Sequence, residues 1–235
     1  KKNNFTVMAG MSFQQDTGDY ISGSADQLTN YAPNYRYLSN AVNSSKMTLS
    51  GTPSESANMS YFGRIGYSYD SRYSLQVNFR ADAFDASKLS PTNRWGYFPS
   101  VSARWLISRE NFMKTQNVVK ELKLRAGYGV TGNMPGDCYP WIGRMGKNED
   151  YAYFGDSKVA TWSLSTVPNP DLKWETKHEV NVGVDFSILD GRLSGAIDYY
   201  NRTTRDLLYW YAVDAAKYEA SSMLLNLGSL RNQGV

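Results

Sequence analysis

The stretch HEVNVGVDFSILDGRLSGAIDYY, His178–Tyr200, carries the pattern that decides the fold. Val180, Val182, Val184, Phe186 and Ile188 occupy alternate positions, with Glu179, Asn181, Gly183 and Asp185 between them. Successive side chains of an extended chain point to opposite faces, so 178–188 reads as a strand with one apolar and one polar side. Asp190-Gly191 is a strong hairpin signal, and a weaker alternation resumes in LSGAIDYY, 193–200.

The same period of two recurs along the chain. Tyr73, Leu75, Val77, Phe79 and Ala81 share a face, as do Tyr97, Pro99, Val101, Ala103, Trp105 and Ile107, and then Leu122, Leu124, Ala126, Tyr128 and Val130. Weaker versions run through 5–13 and 61–69. Several segments reach nine to eleven residues, the length of a tilted membrane strand, whereas strands of soluble proteins average about five or six. The connections sort by parity. Asp70-Ser71-Arg72, the moderate link 108–121 (read as carrying a short helix) and Asp190-Gly191 fall on one edge; the long stretches 14–57, 83–96 and 132–173 fall on the other. Structureless loops of that length argue against an ordinary compact domain but belong to outer-membrane barrels, which have short turns on one side and long loops on the other. Tyr61, Tyr67, Tyr69, Tyr73, Tyr97, Trp105, Tyr128 and Tyr199 lie near strand ends on the apolar face, where interfacial aromatic girdles form. A soluble sandwich with aromatic core positions is the competing reading.

GYGVTGN, 127–133, matches the G-x-G-x-x-G pattern of dinucleotide-binding loops. A phosphate loop needs a helix after it, and Pro135-Gly136 prevents one. Gly127 and Gly129 fall on the polar face of a strand, and Gly132 is expected to open the following loop.

Composition closes other routes. The 235 residues are 41% hydrophobic and 14% aromatic, with a net charge of +3 spread along the chain, so nothing suggests nucleic-acid binding. Cys138 is the single cysteine and His178 the single histidine, which leaves no disulfide, thiolate cluster or triad to build. His178 is expected at a membrane interface. Asp16, Asp19 and Asp26, or Glu149, Asp150 and Asp156, lack the EF-hand spacing for calcium and read as solvated loop charge. No catalytic residue, metal or cofactor is expected.

NRWGYFPSVSARWLISRENFMK (93–114), LKLRAGYGVTGN (122–133), PNPDLKWETKHEVNVGVDFSILDGRLSGAIDYYNRTTRDLL (168–208) and LLNLGSLRNQGV (224–235) resemble, in this order, the barrel region of SusC/RagA-type TonB-dependent outer-membrane transporters. The resemblance implies an all-β, antiparallel up-and-down transmembrane β-barrel, of which this chain is a partial piece of about seven or eight strands. Whole barrels of this kind have about 22 strands and a plugged lumen. It implies that residues 1–235 are an internal part of one TonB-dependent receptor barrel domain in the cell outer membrane, with long extracellular loops, short periplasmic turns and a contact with outer-membrane lipid. It further implies import of an oligosaccharide or peptide, a SusD-like surface lipoprotein as lid, and TonB acting through a plug region not seen in these residues.

A wide barrel accounts for Arg64, Arg80, Arg104, Lys123, Arg125, Glu179, Asp185 and Asp198 on the polar faces, where a wet lumen would receive them paired with one another or against a plug. Aromatics crowd the long loops: Tyr31, Tyr35 and Tyr37, then Tyr139, Trp141, Tyr151, Tyr153, Phe154 and Trp162, then Trp210 and Tyr211. Such rings either stack on substrate or pack the loops on each other and on the lid, and Trp141, Tyr153 and Trp162 are the candidate substrate contacts. The alternative to a transporter is a small stand-alone outer-membrane barrel with an adhesion or structural role. That barrel would have to close on these strands alone.

Overall fold

The computed structural model describes residues 2–42 and 47–235 and, within them, only the backbone of 147–151. The side chains of Glu149, Asp150 and Tyr151 therefore lie outside the described residues. Two compact units emerge, Lys1–Phe13 with Asn58–Val235, and Gln14–Ala57.

Twelve strands account for most of the chain: β1 (Asn3–Ser24), β2 (Thr48–Tyr69), β3 (Tyr73–Phe84), β4 (Trp95–Leu106), β5 (Val119–Asn133), β6 (Arg144–Phe154), β7 (Ser157–Thr166), β8 (Glu175–Ile188), β9 (Leu193–Arg205), β10 (Leu208–Ala212), β11 (Ser222–Asn226) and β12 (Ser229–Gly234). Eight of them form one antiparallel meander in the order β1-β2-β3-β4-β5-β8-β9-β12, while β6-β7 and β10-β11 are separate hairpins. β1 and β12 are its two edges, so the sheet stays open. Among the described residues these strands do not build the small closed barrel.

Register ties the apolar positions into continuous rows. Tyr67 faces Leu75, Ala103, Ala126, Val182 and Tyr199 across successive strands, and Tyr69 faces Tyr73, Trp105, Leu124, Val184 and Ile197. This side has no protein cover: Leu75, Val77 and Phe79 are 47%, 44% and 48% exposed. A contiguous exposed apolar surface of this extent marks an interface, and between aromatic rows it has the form of a lipid-facing belt. Tyr69, Tyr73 and Trp105 stack at one end of the belt; Tyr61 with Trp95 and Phe79 with Tyr97 stack towards the other.

The short-link end is tightly made. Asp70 and Ser71 both take positive φ, 51° and 52°, inside the three-residue link between the paired Tyr69 and Tyr73, and Arg72 N donates to Tyr69 O at 2.9 Å. Arg72 folds back onto the Asp70 carboxylate. The link after β4 was expected to hold a short helix. It forms only 3-10 turns at Ile107–Arg109 and Asn111–Met113. The reason is Glu110, a buried carboxylate with extended backbone (φ −72°, ψ 152°) that separates the two turns.

Glu110 accepts hydrogen bonds from the Tyr73 hydroxyl, from Trp105 Nε1 at 3.1 Å and from Arg72 Nη1 at 3.1 Å. The Tyr73 hydroxyl most of all, then Trp105 and Arg72, hold its carboxyl below the usual glutamate range. A group whose folded value is depressed contributes stability above the unfolded value, about 4.3, and loses it as pH falls through the lower folded value. The indole N–H resonance of Trp105 is accordingly expected to titrate with a midpoint below pH ~4.3, and Glu110→Gln to abolish that titration. A midpoint at or above the ordinary glutamate value would contradict the tether.

At the long-link end, Leu89, Leu172, Trp174 and Leu224 form a buried cluster, with Phe84, Phe98, Met134, Trp141 and Leu208 packed against it. It draws together the connections 85–94, 134–143 and 167–174 and the β10–β11 hairpin. Gly132, expected to begin a loop, lies inside β5; a Cβ there would run into the Phe98 ring and come within 3.0 Å of Trp174. Its missing side chain leaves room for those rings.

The unit Gln14–Ala57 was expected as loop, and about half of its described residues are strand. It is the portion of the β1–β2 hairpin between these residues, with 3-10 turns at Pro33–Tyr35 and Leu38–Asn40. Cross-strand side-chain pairs hold it, Gln15 Nε2 donating to Glu55 at 2.6 Å and Ser24 sharing a hydrogen bond with Thr48 at 2.6 Å. The 132–173 connection likewise contains the β6–β7 hairpin.

Candidate functional site

The polar face opposite the belt is the candidate working surface. Alternation places Ser74, Gln76, Asn78, Arg80 and Asp82 of β3 on it, and register sets them beside their counterparts on β4, β5 and β8. Ser74 faces Arg104, Arg104 faces Arg125, Arg125 faces Gly183, and Gly183 faces Asp198. Two arginines directly opposite each other repel. The carboxylates offset this: Arg125 grips Asp185 through Nε at 2.9 Å and Nη2 at 2.8 Å, and its Nη2 lies 3.0 Å from Asp198. Lys123 makes a further ion pair with Asp185. Gly183 makes this possible, because a Cβ there would collide with the Asp198 carboxylate and lie 3.0 Å from Arg125. The guanidinium thus crosses β8 and joins β5 to β9.

Several other charges on this face are also paired or hydrogen bonded. Arg202 meets Glu179 at 2.9 Å, Arg80 meets Asp82 at 2.7 Å, Arg64 donates to Asn78 at 2.8 Å and Arg104 to Ser74 at 3.1 Å. The expectation of mutual pairing is met for Arg80, Lys123, Arg125, Glu179, Asp185 and Asp198. Arg64 and Arg104 use neutral partners instead.

Two of the hollows that open on this face bear on the site. One, of about 470 Å³, is lined by Ser74, Gln76, Ser102, Arg104, Arg125 and Asn181. The other, of about 330 Å³, lies at the long-loop end between Arg80, Asp82, Phe84, Phe98, Gly132 and Trp174. In the second, Arg80 Nη2 donates to the buried Ser60 hydroxyl at 2.9 Å, and the Trp174 and Phe98 rings meet edge-on at 5.3 Å. An aromatic wall beside a fixed guanidinium and carboxylate can hold a small polar ring or a peptide unit by contact and hydrogen bonds. Among the described residues no three His, Cys, Asp or Glu converge to hold a metal. Sequence reading missed this second hollow, although Phe98 interrupting the polar row Gly96-Phe98-Ser100 was its visible signal.

The three named aromatics separate. Trp141 is half-buried against the loop cluster and donates its Nε1–H to Ala86 O at 2.8 Å. Tyr153 and Trp162 are 69% and 60% exposed on the β6–β7 hairpin. Tyr153 pairs with Lys158, and Trp162 lies four residues further along β7, about 13 Å of strand length away. His178 sits on the belt side, its Nδ1 2.9 Å from the Tyr128 hydroxyl.

Comparison with known proteins agrees with this architecture. A family model described as TonB dependent receptor-like, beta-barrel, matches residues 2–235. The chain is similar to the TonB-dependent receptor SusC of Bacteroides thetaiotaomicron, 41% identical over 180 residues, 75% of this chain and 18% of that protein. It is also similar to the TonB-dependent receptor P26 of Formosa agariphila, 32% identical over 234 residues, 100% of this chain and 23% of that one. Among solved structures, the RagAB peptide importer in its closed-closed state superimposes with a TM-score of 0.80 at 26% identity, over 99% of this chain and 25% of its counterpart. The chain spans about a fifth of the length of these relatives. An open meander with an apolar belt on one side and paired charges on the other, matched end to end by one family, has a single assignment: the chain belongs to the TonB-dependent receptor β-barrel family, whose members are transporters rather than enzymes.

Proposed function

We propose that residues 1–235 are part of one barrel domain of an outer-membrane importer that takes up an oligomeric nutrient, a glycan or a peptide, with a SusD-like surface lipoprotein as lid and TonB as energy source. The carrying observation is the two-sided sheet: an exposed apolar belt between stacked aromatic rows, a hydrated wall of paired charges behind it, and every long connection at one end. In hydrocarbon, the unpaired N–H and C=O groups of β1 and β12 would each cost several kcal/mol, so the reading requires further strands to pair with both edges. The resemblance to RagAB, described as a peptide importer, and to SusC supports transport and leaves both substrate classes in view.

Substrate contact is assigned to the loops at the long-link end, with the exposed rings of Tyr153 and Trp162 stacking on the ligand and the half-exposed Trp141 forming its base. Removing Trp162 alone is expected to weaken ligand binding roughly tenfold, the scale of one lost stacking contact of ~1–2 kcal/mol. The test is uptake of fluorescently labelled oligosaccharide and peptide pools by cells carrying the full-length protein, its deletion, or Trp162→Ala. Loss of uptake of one pool on deletion, and the same loss when cells carrying the full-length protein are treated with a protonophore, is the expected result. Unchanged uptake of both pools in the deletion strain would overturn the reading.

A further inference from the structure

The outward face changes character at one place. Along β8, β9 and β12 the apolar belt ends at Val182 and Tyr199, and the next three outward rows are polar throughout apart from Val180. The first row is Val180, Asn201 and Gln233; the second is His178, Thr203 and Arg231; the third is Thr176, Arg205 and Ser229. At the comparable ends of β2, β3 and β4 the outward residues are Met59, Ala83 and Trp95. The polar patch is thus confined to one sector of the wall.

Its charge is one-sided. Arg205 and Arg231 stand on neighbouring strands in adjacent rows, a diagonal pair with Cα atoms about 7–8 Å apart. Their side chains are exposed, and Arg231 Nε donates to Asn201 Oδ1 at 3.1 Å. The acidic groups of this region are engaged elsewhere: Glu179 faces inward to Arg202, and Asp206 meets Lys173 at 3.0 Å. No carboxylate pairs with either Arg205 or Arg231 among the described residues. Two guanidiniums this close, neither paired with a carboxylate among the described residues and both beside hydroxyls and the His178 ring, favour a dianionic ligand with several acceptor oxygens.

Height identifies the source of that ligand. Arg231 is opposite Thr203, four residues beyond the girdle residue Tyr199, about 13 Å along the strand and about 9 Å higher at a tilt near 45°. The interfacial layer is about 5–8 Å deep on each side of the hydrocarbon, and an arginine side chain bends down across a comparable distance. Arg205 stands one row higher, at the level of a headgroup larger than a simple phosphodiester.

We propose that Arg205 and Arg231, with Thr203, Asn201 and His178 around them, form a site for the phosphate of an anionic glycolipid headgroup in the outer leaflet. The site is continuous with the lipid-facing belt and rests on the reading of this sheet as barrel wall. It fixes an annular lipid at one sector of the barrel and leaves the lumen free.

The test uses the full-length protein reconstituted in phosphatidylcholine nanodiscs doped either with phosphorylated lipid A or with its dephosphorylated form, released into mild detergent and weighed by native mass spectrometry. The wild type is expected to retain the phosphorylated lipid, and Arg205→Gln/Arg231→Gln to retain at least about tenfold less. Arg205→Lys/Arg231→Lys, which keeps both charges, is expected to retain it, which separates charge loss from misfolding. Equal retention of both lipids by the wild type, or unchanged retention by the Gln pair, would sink the proposal. Either result leaves outer-membrane recovery and uptake intact, whereas failure of the barrel-wall reading removes the protein from that membrane altogether.

Discussion

Trp174→Ala is expected to cost about 3–5 kcal/mol and to loosen the whole long-loop end while sparing the strands below. The indole is buried, lies 5.3 Å from the Phe98 ring and 6.0 Å from Phe84, and donates its N–H to Arg94 O at 3.2 Å. Truncation removes both ring contacts, opens a cavity beside Leu89 and Leu172, and leaves that carbonyl without its partner. Limited trypsin digestion of the full-length protein reads this directly, because Lys88, Arg94 and Lys173 all lie in the connections the cluster ties together. The variant is expected to be cut at these sites while its barrel still runs as a folded, heat-modifiable band. Resistance of the variant equal to that of the wild type at all three would show that the ring is dispensable.

The second large effect comes from adding atoms. Gly132→Val places branched carbon where a Cβ already meets the Phe98 ring and stands 3.0 Å from Trp174. Overpacking of this kind costs about 1–3 kcal/mol, and here the displaced groups are two rings that pack on each other, so the upper end applies. The decisive measurement is a double-mutant cycle. Phe98→Ala destabilises alone, yet it vacates the space the valine needs, so the pair is expected to be less destabilised than the sum by about 1–2 kcal/mol. Strict additivity would mean that the glycine has nothing to do with the ring.

The parts of the fold that were legible are those facing two different surroundings. In β3, β4, β5 and β8 one side meets an apolar medium and the other a wet, charged one, and that contrast is written as a period of two. The outer lengths of β1 and β2 are just as extended but are exposed on both sides, so QQDTGDYISGS and TLSGTPSESA carry no contrast and read as loop. In β7 a short alternation, Ala160-Trp162-Leu164 against Thr161-Ser163-Ser165, was present but lay inside a stretch read as one long loop. Of the site, the charged rows were visible as polar positions. Their pairing was not, since Arg125 reaches Asp198 only because residue 183 lacks a side chain. The hollow beside Phe98 depends on Trp174, far along the chain, and no local pattern links the two. For Trp141 the sequence left stacking and loop packing open, and the Ala86 hydrogen bond ties its indole edge to the loop cluster.

The loop cluster has a mechanical corollary. Asn169 Nδ2 donates to Leu224 O at 2.8 Å, Asn169 N to Trp141 O at 2.9 Å, Ser90 Oγ to Pro170 O at 2.7 Å and Lys88 Nζ to Gly136 O at 2.7 Å, so each connection is bolted to at least one other. Segments cross-braced in this way do not sway as independent fingers. They form a stiff collar, and a load applied at one of them is shared by the rest. At the β6–β7 turn Gly155 takes a positive φ and a Cβ there would meet nothing within 4 Å. A collar of this kind lets that turn be reshaped by insertion or substitution without retuning the frame that carries it.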